Sequence, residues 1–348
     1  MKTWNLVFVS MIFSIAAITG CQNKPQTDPT PPKQVSQSEA LKARDQGKAA
    51  LKKGDYDTAI SFFTEAIRLN PKLVEAHASR GLSYFKKGDW DNAILDFTEA
   101  TWINPGIAGV FSNRGFAYCN KGEYDQAIAD YTEAIRLDSK LASAYSNRGS
   151  AYGKIGEFDK DIADCNEAIR LDPKLAVAYN SRGSAYGYKG NHDKEIEDCT
   201  EAIRLDPKLT WAYYCRSLGY NVKGEFDKAI ADCNEAIRLD PKLVLAYNSR
   251  GLAYARSGKL DIGIADFTKV ITLDPNFGGG YSNRGLAYCN KGDWDKAIAD
   301  YTESIRIDPK FAVSYKNRGL AYNKKGEKSK AEADFAEAVR LGYPRQAR

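Results

Sequence analysis

The feature that most constrains this chain is a repeat of 34 residues. The segment GEFDKDIADCNEAIRLDPKL at residues 156–175 recurs almost unchanged at 224–243, and a looser copy lies halfway between them at 190–209. Self-similarity at such a period is typical of architectures in which each repeat packs only on its neighbours. Steps of 34 residues place nine repeats between Ala40 and about Arg345.

Each repeat contains two helical patterns, which we call helix A and helix B. In repeat 5, Tyr179 and Tyr186 lie two helical turns apart and therefore on one face of helix A. Gly190 is predicted to end helix A, because a left-handed C-terminal cap favours glycine. Pro207 is predicted to end helix B, because the residue before a proline is disfavoured in the helical conformation. One such pair cannot bury its apolar stripe alone, so the repeats must stack.

This pattern resembles the tetratricopeptide repeat (TPR) family, and the resemblance covers nearly all of residues 38–348. It implies an all-α fold: a right-handed superhelical solenoid of about nine helix–turn–helix repeats, or roughly eighteen helices. In that family, the variable positions of the helices A line a concave groove.

Residues 1–20 are predicted to be a lipoprotein signal peptide. Lys2 precedes a short apolar stretch over residues 6–19, which is too short to span a bilayer comfortably. The following residues, Ile18-Thr19-Gly20-Cys21, resemble a bacterial lipobox. The resemblance implies cleavage after Gly20 and a covalent lipid on Cys21, and hence a lipid anchor in the bacterial cell envelope. The alternative is an ordinary signal peptide or an uncleaved anchor.

Two details of this region refine the expectation. Gln22, in place of Asp, favours the outer membrane facing the periplasm if the cell has two membranes. Residues 21–37 are rich in Pro, Gln and Thr and are predicted to form a disordered tether. The folded solenoid is predicted over residues 38–348, with Ser36 or Ser38 capping the first helix.

In repeats 2 to 9, an arginine precedes the helix-A glycine (a serine in repeat 6), and an aspartate follows the arginine sixteen residues later. In repeat 1 both are replaced, by Gln46 and Phe62. Because the arginine and the aspartate are absent together, we predict that they form a salt bridge between helices A and B. Either charge alone would be buried without a partner, which is costly. The alternative is a basic ladder for a ligand. The predicted pairs include Arg114–Asp130, Arg148–Asp164 and Arg182–Asp198.

The variable helix-A positions supply candidate groove residues. Asparagines recur at one of these positions, and a similar Asn row holds the backbone of an extended peptide in some TPR superhelices. For any single residue, a solvated helix face is the alternative. The predicted partner-binding residues are Phe85, Lys86, Asn113, Phe116, Asn147, Tyr188, Trp211, Tyr214, Asn283 and Asn317.

Six cysteines follow Cys21: Cys119, Cys165, Cys199, Cys215, Cys233 and Cys289. Three of them occupy one helix-B position in consecutive repeats, where the other repeats have Phe or Tyr, so we expect small buried side chains. Disulfides between these three are not expected at helix-packing distances, and a metal site is disfavoured by the spacing and by the presence of only two histidines.

Two acidic residues interrupt the repeat pattern. Asp161 and Glu195 stand where six other repeats have alanine, at the tight contact between the paired helices. They are either an acidic site that faces a ligand or tolerated substitutions that point toward the surface. The sequence favours the second interpretation.

These features define the expected function. A formal charge of +5 does not indicate a nucleic-acid partner, and no constellation for catalysis, metal or cofactor is present in the sequence. We expect a non-enzymatic, membrane-tethered scaffold or adaptor that binds a peptide or protein segment in its groove, in envelope biogenesis or secretion. The alternative is a receptor or sequestering module for a non-protein ligand such as cell-wall glycan.

Overall fold

The computed structural model describes residues 32–344, and in this range it contains helices and no strands. The predicted signal peptide, Cys21 and the tether up to residue 31 lie outside the described residues. The helices are α1 (Pro32–Lys53), α2 (Tyr56–Leu69), α3 (Val74–Lys87), α4 (Trp90–Ile103), α5 (Ala108–Lys121), α6 (Tyr124–Leu137), α7 (Ala142–Lys154), α8 (Phe158–Leu171), α9 (Ala176–Tyr188), α10 (His192–Leu205), α11 (Thr210–Lys223), α12 (Phe226–Leu239), α13 (Val244–Arg256), α14 (Leu260–Leu273), α15 (Gly278–Lys291), α16 (Trp294–Ile307), α17 (Ala312–Lys324) and α18 (Lys328–Arg340).

The helices follow the predicted 34-residue pattern: odd-numbered helices are helices A and even-numbered helices are helices B. The chain divides into two compact units, an N-terminal unit that ends at Ala185 and a C-terminal unit that begins at Tyr186. Within each unit, consecutive helices pack on one another, and successive helices A also touch. The predicted all-α fold of TPR-type helix pairs is confirmed.

The first helix starts earlier than the sequence suggests. It begins at Pro32, so residues 32–37 of the predicted tether belong to α1. A proline is well tolerated in the first turn of a helix, because its missing N–H would have no intrahelical partner there.

The turn from helix A to helix B is made by glycine in every repeat. Gly88 after α3 has a φ of +79°, and its N–H donates to the carbonyls of Tyr84 and Phe85. A side chain with a Cβ rarely adopts this left-handed backbone. Gly190, the predicted end of α9, has a φ of +78°.

A second glycine, inside eight of the nine helices A, lets helix B approach closely; repeat 6 has Ser217 at this position. Phe97 on α4 is fully buried against Gly81 on α3, where a Cβ would lie only 2.9 Å from the ring atom Cε1. Cys165, Cys199 and Cys233 take the equivalent helix-B position in repeats 4 to 6 and are also fully buried. This contact holds each helix pair together and fixes which face of helix A remains outside.

A candidate binding surface on the helices A

Most of the exposed large apolar side chains of the C-terminal unit lie on one face of its helices A; the exception is Ile262 on α14, a helix B. Tyr188 and Val222 are the thirteenth residues of α9 and α11, and they are 66% and 59% exposed. Leu286 and Leu320 are the ninth residues of α15 and α17, and each is 44% exposed. Val313, the second residue of α17, is also exposed. Positions 2, 9 and 13 share one side of a helix, which we call the helix-A face.

In the N-terminal unit, an aromatic pair borders the helix-A face, since Phe116 is the ninth residue of α5 and Phe85 is the twelfth residue of α3. The rings of Phe85 on α3 and Phe116 on α5 lie 5.0 Å apart, measured between centroids. The Phe85 ring also packs edge-on against Trp90, at 4.9 Å. Lys86 follows Phe85 and is half-buried. The structure thus brings three predicted groove residues of repeats 2 and 3 together.

The predicted asparagine row is partly engaged within the protein. Asn283 on α15 donates to Oδ1 of Asn248 on α13 at 2.8 Å, which links two successive helices A. Asn113, Asn147 and Asn317 are partly exposed at the equivalent position. Polar amides therefore border the apolar side chains of the helix-A face.

Tyr214 is part of the core and not an exposed groove residue. Its side chain is only 7% exposed, and it clusters with Ala236, Leu243 and Ala246. Burial raises its pKa well above the ordinary value. The cause is its place as the fifth residue of α11, on the side where α11 packs against α13. Trp211 lies edge-on to it at 5.8 Å and is half-buried.

The predicted arginine–aspartate pairs that lie within one unit bridge helices A and B. Arg114 donates from Nε and Nη2 to the two carboxylate oxygens of Asp130, at 2.8 and 2.6 Å. Arg182 and Asp198 belong to different units, and within the N-terminal unit Arg182 donates to Asn166 at 2.6 Å. The two-pronged geometry recurs in Arg80–Asp96, Arg148–Asp164, Arg216–Asp232, Arg250–Asp266, Arg284–Asp300 and Arg318–Asp334.

These pairs favour the structural interpretation of the arginine row. Burial raises the pKa of Asp130 above its ordinary value, although the Arg114 guanidinium opposes that shift. The charged form of Asp130 is thus costly in this place and depends on its partner. Each of these arginines already donates two hydrogen bonds to its aspartate. Few of its N–H groups therefore remain for a ligand.

Asp161 and Glu195 are buried, so their interpretation as substitutions that point toward the surface is wrong. Each is only 3% exposed. Oδ1 of Asp161 accepts hydrogen bonds from Cys165 Sγ at 3.2 Å and Ser181 Oγ at 3.3 Å. Burial raises the pKa of Asp161 to about 7. Glu195 interacts with Nδ1 of His192 at 2.8 Å, and burial raises its pKa also.

Glycine on the facing helix A makes room for both carboxylates. A Cβ on Gly153 would lie 2.5 Å from Oδ2 of Asp161, and a Cβ on Gly187 would lie 2.5 Å from Oε1 of Glu195. The sequence does contain a signal for this arrangement, but the signal lies on helix A and not at the helix-B positions of the carboxylates. Glycine occurs at this helix-A position only in the two repeats that carry the carboxylates; the others have Leu51, Phe85, Cys119, Asn221, Ala255, Cys289 and Asn323.

The cysteines after Cys21 are free thiols in the core or at its edge. Burial raises the pKa of Cys119 to about 12 and that of Cys233 to about 11, so these thiols are protonated and weakly reactive at neutral pH. Among residues 32–344, no three His, Cys, Asp or Glu side chains are grouped to hold a metal ion. The same range holds no helix that is long and apolar enough to cross a membrane.

The geometry defines a repeat protein of stacked helix pairs, and comparison with known families identifies it further. A model described as TPR repeat matches residues 115–156, 220–258 and 285–326. Models described as tetratricopeptide repeat match residues 44–106, and residues 142–175, 176–209 and 244–277. The chain therefore belongs to the TPR family, whose members bind peptides or proteins and whose fold is typical of interaction scaffolds.

Solved structures support the fold. A tetratricopeptide repeat protein from Parabacteroides merdae is 22% identical, with a TM-score of 0.56 over 72% of this chain and 99% of that one. A chain of the APC/C hetero-tetramer Cut9–Hcn1 is 18% identical, with a TM-score of 0.65 over 78% of this chain and 55% of that one. A search of curated proteins found no match.

Proposed function

We propose that this protein is a membrane-tethered scaffold whose helix-A face binds an extended segment of a partner protein. The observation that supports this most is the set of exposed apolar side chains on one face of α9, α11, α15 and α17, with Tyr188 and Val222 more than half exposed. Exposed apolar residues that share a face are typical of interaction sites.

The outer faces of most helices B contrast with this surface. They carry exposed glutamate–arginine pairs three residues apart, such as Glu133–Arg136 on α6 and Glu235–Arg238 on α12. Such pairs contribute little to stability but keep a helix face soluble. Apart from Ile262 on α14, the exposed large apolar side chains of the C-terminal unit lie on the helix-A face.

The chemistry of the face suggests the form of the ligand. Leu286 and Leu320 lie at the same position of helices α15 and α17, so a segment that crosses these helices meets one apolar side chain on each. Polar amides such as Asn317 lie beside them and suit the N–H and C=O groups of an extended backbone. We propose that neither catalysis nor a cofactor is involved.

The tether rests on the sequence of the first residues. Cys21 in a lipobox-like segment would carry the lipid, and the tether after it would connect the scaffold to the membrane. We propose an envelope location, on the periplasmic side of the outer membrane in a two-membrane cell. Envelope biogenesis and secretion are the processes that such a scaffold would serve.

Peptide selection on the full chain tests the binding proposal. A displayed library of random peptides is selected on the wild type and on Leu286→Asp with Leu320→Asp. We expect wild-type peptides rich in apolar residues whose affinity falls at least about tenfold in the variant, because each aspartate places a charge in an apolar contact.

The matched control changes an exposed apolar residue of a helix B. Trp102 on α4 is 75% exposed, and Trp102→Asp should leave peptide affinity unchanged. If the wild type selects no peptide, or if Trp102→Asp weakens binding and the leucine variant does not, the proposal is wrong. Binding of cell-wall glycan fragments in place of peptides would support the receptor alternative.

A further inference from the structure

We propose that a notch over Asp161, opened by Gly153, receives a lysine side chain of the segment bound on the helix-A face of the N-terminal unit. This inference rests on the proposed function and names a chemical feature of its ligand. The buried carboxylate of Asp161 is not part of the arginine–aspartate pairs between helices A and B.

One oxygen of the Asp161 carboxylate is available. Oδ1 accepts hydrogen bonds from Cys165 on α8 and Ser181 on α9, whereas Oδ2 accepts none from the part of the chain that the structure describes. Oδ2 lies against the backbone of Gly153 on α7, where a Cβ would come within 2.5 Å. An unbonded carboxylate oxygen in a buried side chain is costly, so a donor from a ligand would stabilise it.

Gly153 lies beside the proposed binding surface. Gly153 is the twelfth residue of α7, three after Ser150 at position 9 of the helix-A face, and its backbone is partly exposed. In repeat 2 the same position carries Phe85, and alanine replaces the carboxylate beneath it. Repeat 4 thus has glycine in place of a large side chain on helix A and a carboxylate in place of alanine on helix B. Together these two differences place a carboxylate close to the helix-A face.

The second repeat with this combination differs in one respect. In the C-terminal unit, Glu195 lies beneath Gly187, but the imidazole of His192 already lies 2.8 Å from its carboxylate. In that repeat the partner of the buried carboxylate is therefore an imidazole nitrogen, a group that can donate a hydrogen bond and carry a positive charge. Among residues 32–344, Asp161 has only a thiol and a hydroxyl as hydrogen-bond donors.

A lysine ammonium matches the carboxylate of Asp161 in charge. Its slender methylene stem can pass beside a glycine, and its ammonium would form a charge-assisted hydrogen bond to Oδ2. The charged and titratable groups around Asp161 are Lys154 on α7, and Asp164 and Cys165 on α8; α9 contributes Ser181. Asp164 is bonded to Arg148, so it does not compete for the ligand.

The test uses peptides selected on the full-length wild type and counter-selected on full-length Asp161→Ala. We expect a lysine at one fixed position of the surviving peptides. Its replacement by norleucine should weaken binding to the wild type about tenfold or more and binding to Asp161→Ala less than twofold. Gly153→Ala, which closes the notch and keeps the carboxylate, should behave like Asp161→Ala. Both variants are checked for wild-type helicity by circular dichroism.

The pH dependence is a second readout. Binding of the lysine peptide to the wild type should strengthen roughly tenfold from pH 6 to pH 8, since the ionised form of Asp161 binds it and burial raises the pKa to about 7. The norleucine peptide should show no such change. Peptides that bind with no lysine preference would overturn the inference alone, whereas failure to select any peptide would overturn the proposed function as well.

Discussion

Asp161 illustrates how one residue can lower the stability of a repeat. Its raised pKa means that the folded chain binds a proton more tightly than the unfolded chain, whose Asp titrates near 3.8. Stability contributed at this site is therefore present at low pH and is lost as the pH rises through about 7. Six other repeats show that alanine fits the same place.

We predict that Asp161→Ala stabilises the protein, and more so at high pH. The gain over wild type should be small near pH 4 and should grow, by at most about 4 kcal/mol, to a plateau above about pH 8. Denaturant unfolding at a series of pH values measures it. Removal of the exposed Asp125 by Asp125→Ala is the control. A gain that does not grow with pH would contradict the prediction.

The buried ion pairs should behave differently from the exposed ones. We predict that Asp130→Ala destabilises the protein by about 3 kcal/mol, because it leaves the Arg114 guanidinium unpaired between two helices. On the same helix, Glu133 pairs with Arg136 at the surface, and Glu133→Ala should cost much less stability than Asp130→Ala, because solvent screens an exposed pair. Equal losses in the two variants would show that the Arg–Asp pair is not structural.

At the scale of helices, close packing depends on the glycine in helix A in every pair except α11 and α12, where Ser217 replaces it. We predict that Gly81→Ala destabilises repeat 2 by about 1–3 kcal/mol, because a Cβ would meet the ring of Phe97 at 2.9 Å and the carbonyl oxygen of Ala93 at 3.2 Å. Thermal unfolding measures the loss.

The control is a glycine that makes no such contact. Gly109, the second residue of α5, has open space around the position of a Cβ. Gly109→Ala should therefore leave stability unchanged or raise it slightly, since alanine has the higher helix propensity. If both variants lost stability equally, helix propensity and not packing would govern these positions.

Much of the helix arrangement is predictable from the repeat. The glycine turns, the buried cysteines and the pairs such as Arg114–Asp130 all follow from comparing equivalent positions within the chain. The places of residues that deviate from the repeat are harder to predict from the sequence. The place of Tyr214 depends on packing between neighbouring helices A, and that of Asp161 depends on Gly153 on the facing helix. Both involve pairs of positions that a single helix pattern does not reveal.

At the scale of the whole molecule, the proposed lipid on Cys21 decides where the scaffold works. We predict that wild-type protein expressed in a bacterial host incorporates labelled fatty acid and sediments with membranes, whereas Cys21→Ala does neither, because it has no acceptor thiol for the lipid. Fatty-acid labelling and membrane fractionation measure this. Cys289→Ala, which removes a half-buried thiol, should behave like wild type. Soluble, unlabelled wild-type protein would exclude the tether.

The most direct test of the account is to locate a selected peptide on the protein by hydrogen–deuterium exchange of the full chain. We predict that the peptide slows exchange in helices A, among them α11, α13, α15 and α17, and leaves the helices B paired with them nearly unchanged. The apolar side chains of the helix-A face, such as Leu286 and Leu320, would be covered. Protection confined to helices B, such as α4 with its exposed Leu95 and Trp102, would contradict the account.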